Sequence, residues 1–141
     1  MGKGIDFVKT ILKTAIEKKG FDQCLKNFNV VSAGNGNCKV EFTVAEEHLN
    51  AGGTLHGGFT STLVDCISTY ALMTRGDVAP GVSVDLHVSF MKAAFPGDVV
   101  IVDAKTIRAG RTLAFLEVEL RKKDEGSVIA QGQHTKFIGQ I

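Results

Sequence analysis

Residues 57–74 read GGFTSTLVDCISTYALMT, a run of small, hydroxylated and apolar side chains whose only formal charge is Asp65. Such a run, followed by Gly76, predicts a helix over 57–75 that the glycine closes. It has about the length of a membrane span, yet it carries a charge near its centre and many hydroxyls, so it reads as a buried helix. A helix that is apolar on nearly every side must be covered on nearly every side, and the rest of the chain supplies strands to do it.

Downstream, GVSVDLHVSFM alternates Val82, Val84, Leu86, Val88 and Phe90 with Ser83, Asp85, His87 and Ser89, the period of a half-buried strand. Residues 98–107 and 112–122 read as two more strands joined by RAGR at a tight turn, and KDEG leads into a last strand, 127–137. Upstream, Asn29–Ser32 and Lys39–Val44 read as strands around AGNGN, whose Asn-Gly pair favours the positive φ angles of a tight hairpin. Residues 45–56 form a loop. Val8, Ile11, Leu12, Ala15 and Ile16 recur at helical spacing, with Lys9, Lys13, Lys18 and Lys19 elsewhere, which predicts an amphipathic helix over 4–18 ending near Gly20, then a short turn within 21–27. A basic amphipathic helix also suits a membrane surface or a mitochondrial address. The lack of Arg and the two acids favour a helix that covers a sheet edge. The expected architecture is α+β: a curved antiparallel sheet of about six strands wrapped around helix 57–75, plus an N-terminal helix within residues 1–20, all in one domain, 1–141.

Sixteen basic and fifteen acidic side chains leave a net charge of +1, so no whole-protein field points to nucleic acid or to an anionic membrane. Three cysteines, Cys24, Cys38 and Cys66, are odd in number and form no C-x-x-C, which argues against a disulfide framework and against a thiolate metal site. The expected setting is reducing and intracellular, with no signal segment and no transmembrane segment.

An ionised carboxylate left without partners in an apolar helix costs several kcal/mol. One resolution is structural: Ser61 lies one turn before Asp65, and Ser68 and Thr69 one turn after, so their hydroxyls could satisfy it. The other is functional, a carboxylate facing a cleft or a subunit seam as general base or nucleophile. Asn or Ser would serve the structural role at lower desolvation cost, which favours the functional one. At the front of the same helix, Gly57 and Gly58 leave backbone N–H groups free at the positive end of the dipole, where an oxyanion would be stabilised. Asn50, in the preceding loop, is a candidate second donor to the same oxygen. Eight residues separate Gly57 from Asp65, about 12 Å along a helix axis, too far for both to act on one small carbonyl and its water. If both serve one reaction, the carboxylate comes from another copy of the chain, in a two-fold dimer with antiparallel helices.

Asn50, Gly53, Leu55-His56-Gly57-Gly58, Leu63 and Asp65 together resemble the N…G-x-L-H-G-G…L-x-D segment of the hotdog-fold acyl-CoA thioesterases, in the branch related to the bacterial phenylacetate-pathway thioesterase. The likeness continues through APGVSVD (79–85), GRTLAF (110–115) and IAQGQHTK (129–136). The resemblance implies a homotetramer, a dimer of hotdog dimers, that hydrolyses fatty acyl-CoA to free fatty acid and CoA without metal or redox cofactor. Carried over by position, the Gly57 N–H and the Asn50 side chain would polarise the thioester carbonyl. Asp65 of the neighbouring subunit, assisted by Ser83, would ready the water, and His56 would support the loop or the seam. CoA contacts would come from Phe90, Met91 and Lys92, from the turn of Arg108, Ala109, Gly110, Arg111, Thr112 and Leu113, and from Phe137. The chain departs from the family pattern at Lys92–Phe95, where KAAF replaces a segment with Pro and a later basic residue, and at Phe137. The location implied is cytoplasmic, with mitochondrial association left open.

Two rival activities share these residues. A hotdog dehydratase acting on hydroxyacyl thioesters would pair a His with an acid from the partner's helix, as His56 and Asp65 could, although no Pro-Gly shaping surrounds His56. A non-catalytic acyl-CoA sensor would bind the same ligand and leave Asp65 without a role in turnover.

Overall fold

The computed structural model describes residues 3–139; the first two and last two residues of the expected 1–141 domain lie outside the described residues. Helix α1 spans Ile5–Glu17 and α2 spans Gly57–Met73, with short 3₁₀ turns at Phe21–Leu25 and Glu46–His48. Six strands follow in chain order: β1 Asn29–Gly34, β2 Asn37–Thr43, β3 Val82–Phe90, β4 Val99–Ala109, β5 Leu113–Lys122 and β6 Val128–Phe137. They form one antiparallel sheet in the order β1-β2-β4-β5-β6-β3. Every predicted element is present, with ends that move by at most two residues. The β1–β2 hairpin turns at Asn35 and Gly36, both at positive φ (53° and 85°), the conformation an Asn-Gly pair adopts at least strain.

Alternation along the strands sets one sheet face against α2. Register aligns Val40, Val102, Leu120 and Ala130 across four neighbouring strands, and each is at most 1% exposed. Leu63, Val64, Ile67 and Ala71 of α2 lie on that row with no exposed surface, so the helix is the core. The contact is tight at Gly132 of β6, where a Cβ would come within 2.6 Å of a Val64 methyl. Helix α1 buries Val8 and Leu12 and packs beside β1, covering that sheet edge. Among the described residues no helix is long and apolar enough to cross a membrane.

One expectation changes. The alternation in β3 predicts an apolar face turned inward, yet Val82, Val84, Leu86 and Phe90 are 61, 57, 40 and 59% exposed, and only Val88 is part-buried. Strand order explains this: β3 pairs with β6 alone and ends the sheet, beyond the cover that α2 supplies. A nine-residue edge strand with apolar side chains and unpaired backbone groups is a template for another chain.

Candidate active site

The β2–α2 loop presents the first group of residues. Asn50 is fixed by its neighbour Thr54: its Oδ1 accepts the Thr54 N–H at 3.0 Å, and its Nδ2 donates to the Thr54 hydroxyl at 2.9 Å. One amide hydrogen of Asn50 therefore remains for a ligand. His56 caps α2, its Nδ1 accepting the Gly58 N–H at 2.8 Å. That bond explains Gly58, since a Cβ there would approach the His56 ring to 2.9 Å. The Gly57 N–H, in the first turn, has no partner among the described residues. Asn50 and Gly57 open onto one cleft of about 390 Å³, walled by Phe90 and Met91 of the β3 end and floored by Leu55. Lys92 lines the same cleft, where its ammonium pairs with Glu125 at 3.0 Å.

Asp65 lies two turns further along α2 and belongs to a second group. Its side chain is 49% exposed in the single chain, so the carboxylate is less enclosed than its apolar setting suggests. Ser68 and Thr69 do bond to this residue, but both hydroxyls donate to its backbone carbonyl, at 3.1 and 2.8 Å, and leave the carboxylate to other partners. Opposite it stands His134 of β6, 1% exposed. Its Nδ1 is 2.8 Å from the Ser68 oxygen and its Nε2 is 2.7 Å from the Ser83 oxygen, with Asp65 Oδ1 at 3.8 Å. Because the Ser68 hydrogen is committed to the Asp65 carbonyl, Nδ1 carries the imidazole proton and Nε2 accepts from Ser83. Burial holds the His134 pKa below its ordinary value against the opposing pull of Asp65, which keeps this tautomer neutral. Lys136, 4% exposed, donates to Thr69 at 2.7 Å and completes the group; burial lowers its pKa while Asp65 opposes the shift.

Sequence reading did not single out His134 and Lys136. Their signal is parity: Ala130, Gly132, His134 and Lys136 share one strand face, and the first two are small, as close packing on a helix demands. The Arg108–Leu113 turn lies at the same end of the sheet as Ser83. Gly110 N–H bonds the Leu113 carbonyl at 2.9 Å, the Thr112 carbonyl takes the Ile138 N–H at 2.8 Å, and Leu113, Phe137 and Val82 stand in one cross-strand row. Arg108 and Arg111 are exposed there. One chain thus gathers Asn50, Gly57, Phe90, Met91 and Lys92 at one end of β3, and Asp65, Ser83 and the arginine turn at the other. Cys66, beside Asp65, is no ready nucleophile: burial pushes its thiol far up, and pushes Cys38 up to about 12.

A sheet wrapped on one enclosed helix, opened by a His-Gly-Gly start and carrying an acid two turns on, defines a hotdog-fold thioesterase. Residues 52–129 match the model of the thioesterase superfamily, and the chain belongs to that family of thioester hydrolases. Individual likenesses are more particular. Human acyl-coenzyme A thioesterase 13 is 44% identical over 132 residues, 94% of this chain and 94% of that protein. The crystal structure of zebrafish thioesterase superfamily member 2 superimposes with a TM-score of 0.93 at 47% identity, covering 95% of this chain and 97% of the other. A hypothetical thioesterase protein from Streptococcus pneumoniae, solved with coenzyme A, is similar at 28% identity and a TM-score of 0.76, over 82% of this chain and 88% of that one.

Proposed function

We propose that this chain hydrolyses medium- to long-chain fatty acyl-CoA to fatty acid and CoA, at a site shared by two copies. The observation that carries this reading is the separation of the two groups to opposite ends of one exposed edge strand. Antiparallel pairing of two β3 strands about Leu86, the middle of Val82–Phe90, sets Phe90 opposite the partner's Val82. The same two-fold, with α2 helices antiparallel about Ser61, sets Gly57 beside the partner subunit's Asp65. The α2 surface there is Gly57, Ser61, Thr62 and Asp65, small enough for close approach.

In this arrangement the Gly57 N–H and the free Asn50 amide hydrogen polarise the thioester carbonyl at the positive end of α2. A water donates one hydrogen to the carboxylate of the partner subunit's Asp65. It donates the other to the oxygen of the partner's Ser83, whose own hydrogen is held by the partner's His134. That leaves a water lone pair aimed at the carbonyl carbon. As the C–O bond forms, the carboxylate takes the proton; the oxyanion then collapses, the C–S bond breaks, and the CoA sulfur leaves with that proton. The reaction needs no metal or redox cofactor. Arg108, Arg111 and Lys92 serve the CoA phosphates together with Thr112 and Phe137, and the acyl tail lies on the apolar side chains of the seam. The working form is a homotetramer of one-domain subunits, a dimer of these dimers, in a reducing compartment that suits its three free thiols.

The similarity to acyl-coenzyme A thioesterase 13, and to a relative solved with coenzyme A, supports CoA as the leaving group. The test is release of free thiol from palmitoyl-CoA by the purified protein. Asp65→Asn should lower the rate about a hundredfold, the scale of a lost general base. No thiol from any acyl-CoA, or dehydration of a hydroxyacyl-CoA instead, overturns the reading; binding without turnover would mark a sensor.

A further inference from the structure

We infer that His48 is the positioning residue of the carbonyl-polarising loop, holding Asn50 and the start of α2 in one geometry through its unprotonated Nδ1. The inference rests on the reading of Asn50 and Gly57 given above. His48 lies two residues before Asn50 and is 5% exposed. Its Nδ1 accepts the Ala45 N–H at 3.0 Å, where the chain leaves β2. Its carbonyl accepts the His56 N–H at 2.9 Å, where the chain enters α2. Its ring stacks on Phe59 of the first turn of α2, with centroids 4.7 Å apart and planes 13° apart. Both ends of the 45–56 loop therefore close on this residue. The interior of the loop closes on itself, through the Leu49–Leu55 bridge and the Asn50 N–H to Thr54 carbonyl bond at 2.8 Å.

The surroundings are those of a phenyl group, not of an imidazole. Phe42 and Phe28 meet the ring edge-on, with centroids at 5.2 and 6.4 Å. With Nδ1 accepting, the neutral ring carries its proton on Nε2, which is buried with no hydrogen-bond partner among the described residues. A phenylalanine would fill the same space with no buried polar atom left over, so packing alone gives no reason for histidine. The acceptor at Nδ1 does: it serves a backbone N–H that the turn leaves without another partner. Protonation would set a second N–H against that of Ala45. The charged groups facing the ring are Glu47 and Lys26, themselves paired at 3.4 Å, while Phe28, Phe42 and Phe59 contribute none. Burial outweighs Glu47 and keeps the imidazole neutral.

Two substitutions separate the acceptor from the ring. His48→Phe keeps the stack and loses the acceptor; His48→Asn places Oδ1 near the position of Nδ1 and loses the stack. The expected result is that His48→Phe melts no lower than the parent, yet loses about tenfold in kcat on palmitoyl-CoA with KM within about twofold. His48→Asn should keep kcat within about threefold in spite of a lower melting point. A readout independent of turnover is the amide NMR spectrum: the Ala45, Asn50 and Gly57 signals should broaden in His48→Phe and stay sharp in His48→Asn. Because those signals exist whether or not the protein cleaves acyl-CoA, failure of this inference is distinguishable from failure of the proposed activity. Wild-type kcat with unmoved loop amides in His48→Phe, or an equal kcat loss in His48→Asn, overturns it.

Discussion

Two inactive variants of this protein should restore each other. Asn50→Asp keeps an oxygen to accept the Thr54 N–H but removes the Nδ2 donor, and Asp65→Asn removes the proposed base. Each alone should retain about 1% of the activity or less, the scale of a lost oxyanion donor or general base. Gly57 and Asp65 lie eight residues, about 12 Å, apart on one continuous helix, with Asn50 in the loop before it, so the proposed composite site takes one group from each copy. In an equal mixture with random pairing, half the dimers are mixed. Each mixed dimer has one site carrying both defects and one carrying neither, so about one quarter of wild-type activity returns, some 25-fold above either parent. The assay is thiol release after co-expression or co-refolding of differently tagged variants, with the mixed species isolated through both tags. If each site were built within one chain, every site in the mixed dimer would keep one defect. Activity no higher than the parents would refute the shared site.

Leu86 lies at the centre of the proposed β3 seam and is 40% exposed in the single chain, so Leu86→Asp should fold but set two carboxylates against each other across the axis. Light scattering should show a monomer, and activity should fall at least about tenfold; an active dimer would move the seam elsewhere. Gly132→Ala drives a methyl to within 2.6–2.7 Å of both Val64 methyls and should destabilise by about 1–3 kcal/mol, measured by urea unfolding and partly recovered by adding Val64→Ala. Burial holds His48 and His134 below the ordinary 6.5, so below that pH the unfolded chain binds protons the folded one does not. Stability is then retained above about pH 6.5 and lost as the pH falls toward the folded values, by at most about 1.4 kcal/mol per pH unit for each ring, and His48→Asn should remove one share of that slope.

The helix and strand pattern was legible in the sequence because it depends on neighbours three, four or two residues apart. The same locality made the Asn35-Gly36 hairpin, the Gly57 helix start and the isolated Asp65 readable, and the eight-residue spacing argued for a second copy. Tertiary structure alone decided the strand order. The chain leaves α2 through β3 to the far edge of the sheet, and this exposes side chains whose alternation reads as buried. It also decided what surrounds the chemistry. His134 meets Ser68 and Ser83 across 66 and 51 residues of chain, and the phenyl rings around His48 come from β2, α2 and the segment before β1. Periodicity tells which face of an element a residue occupies; which distant residue meets that face is set by how the layers close.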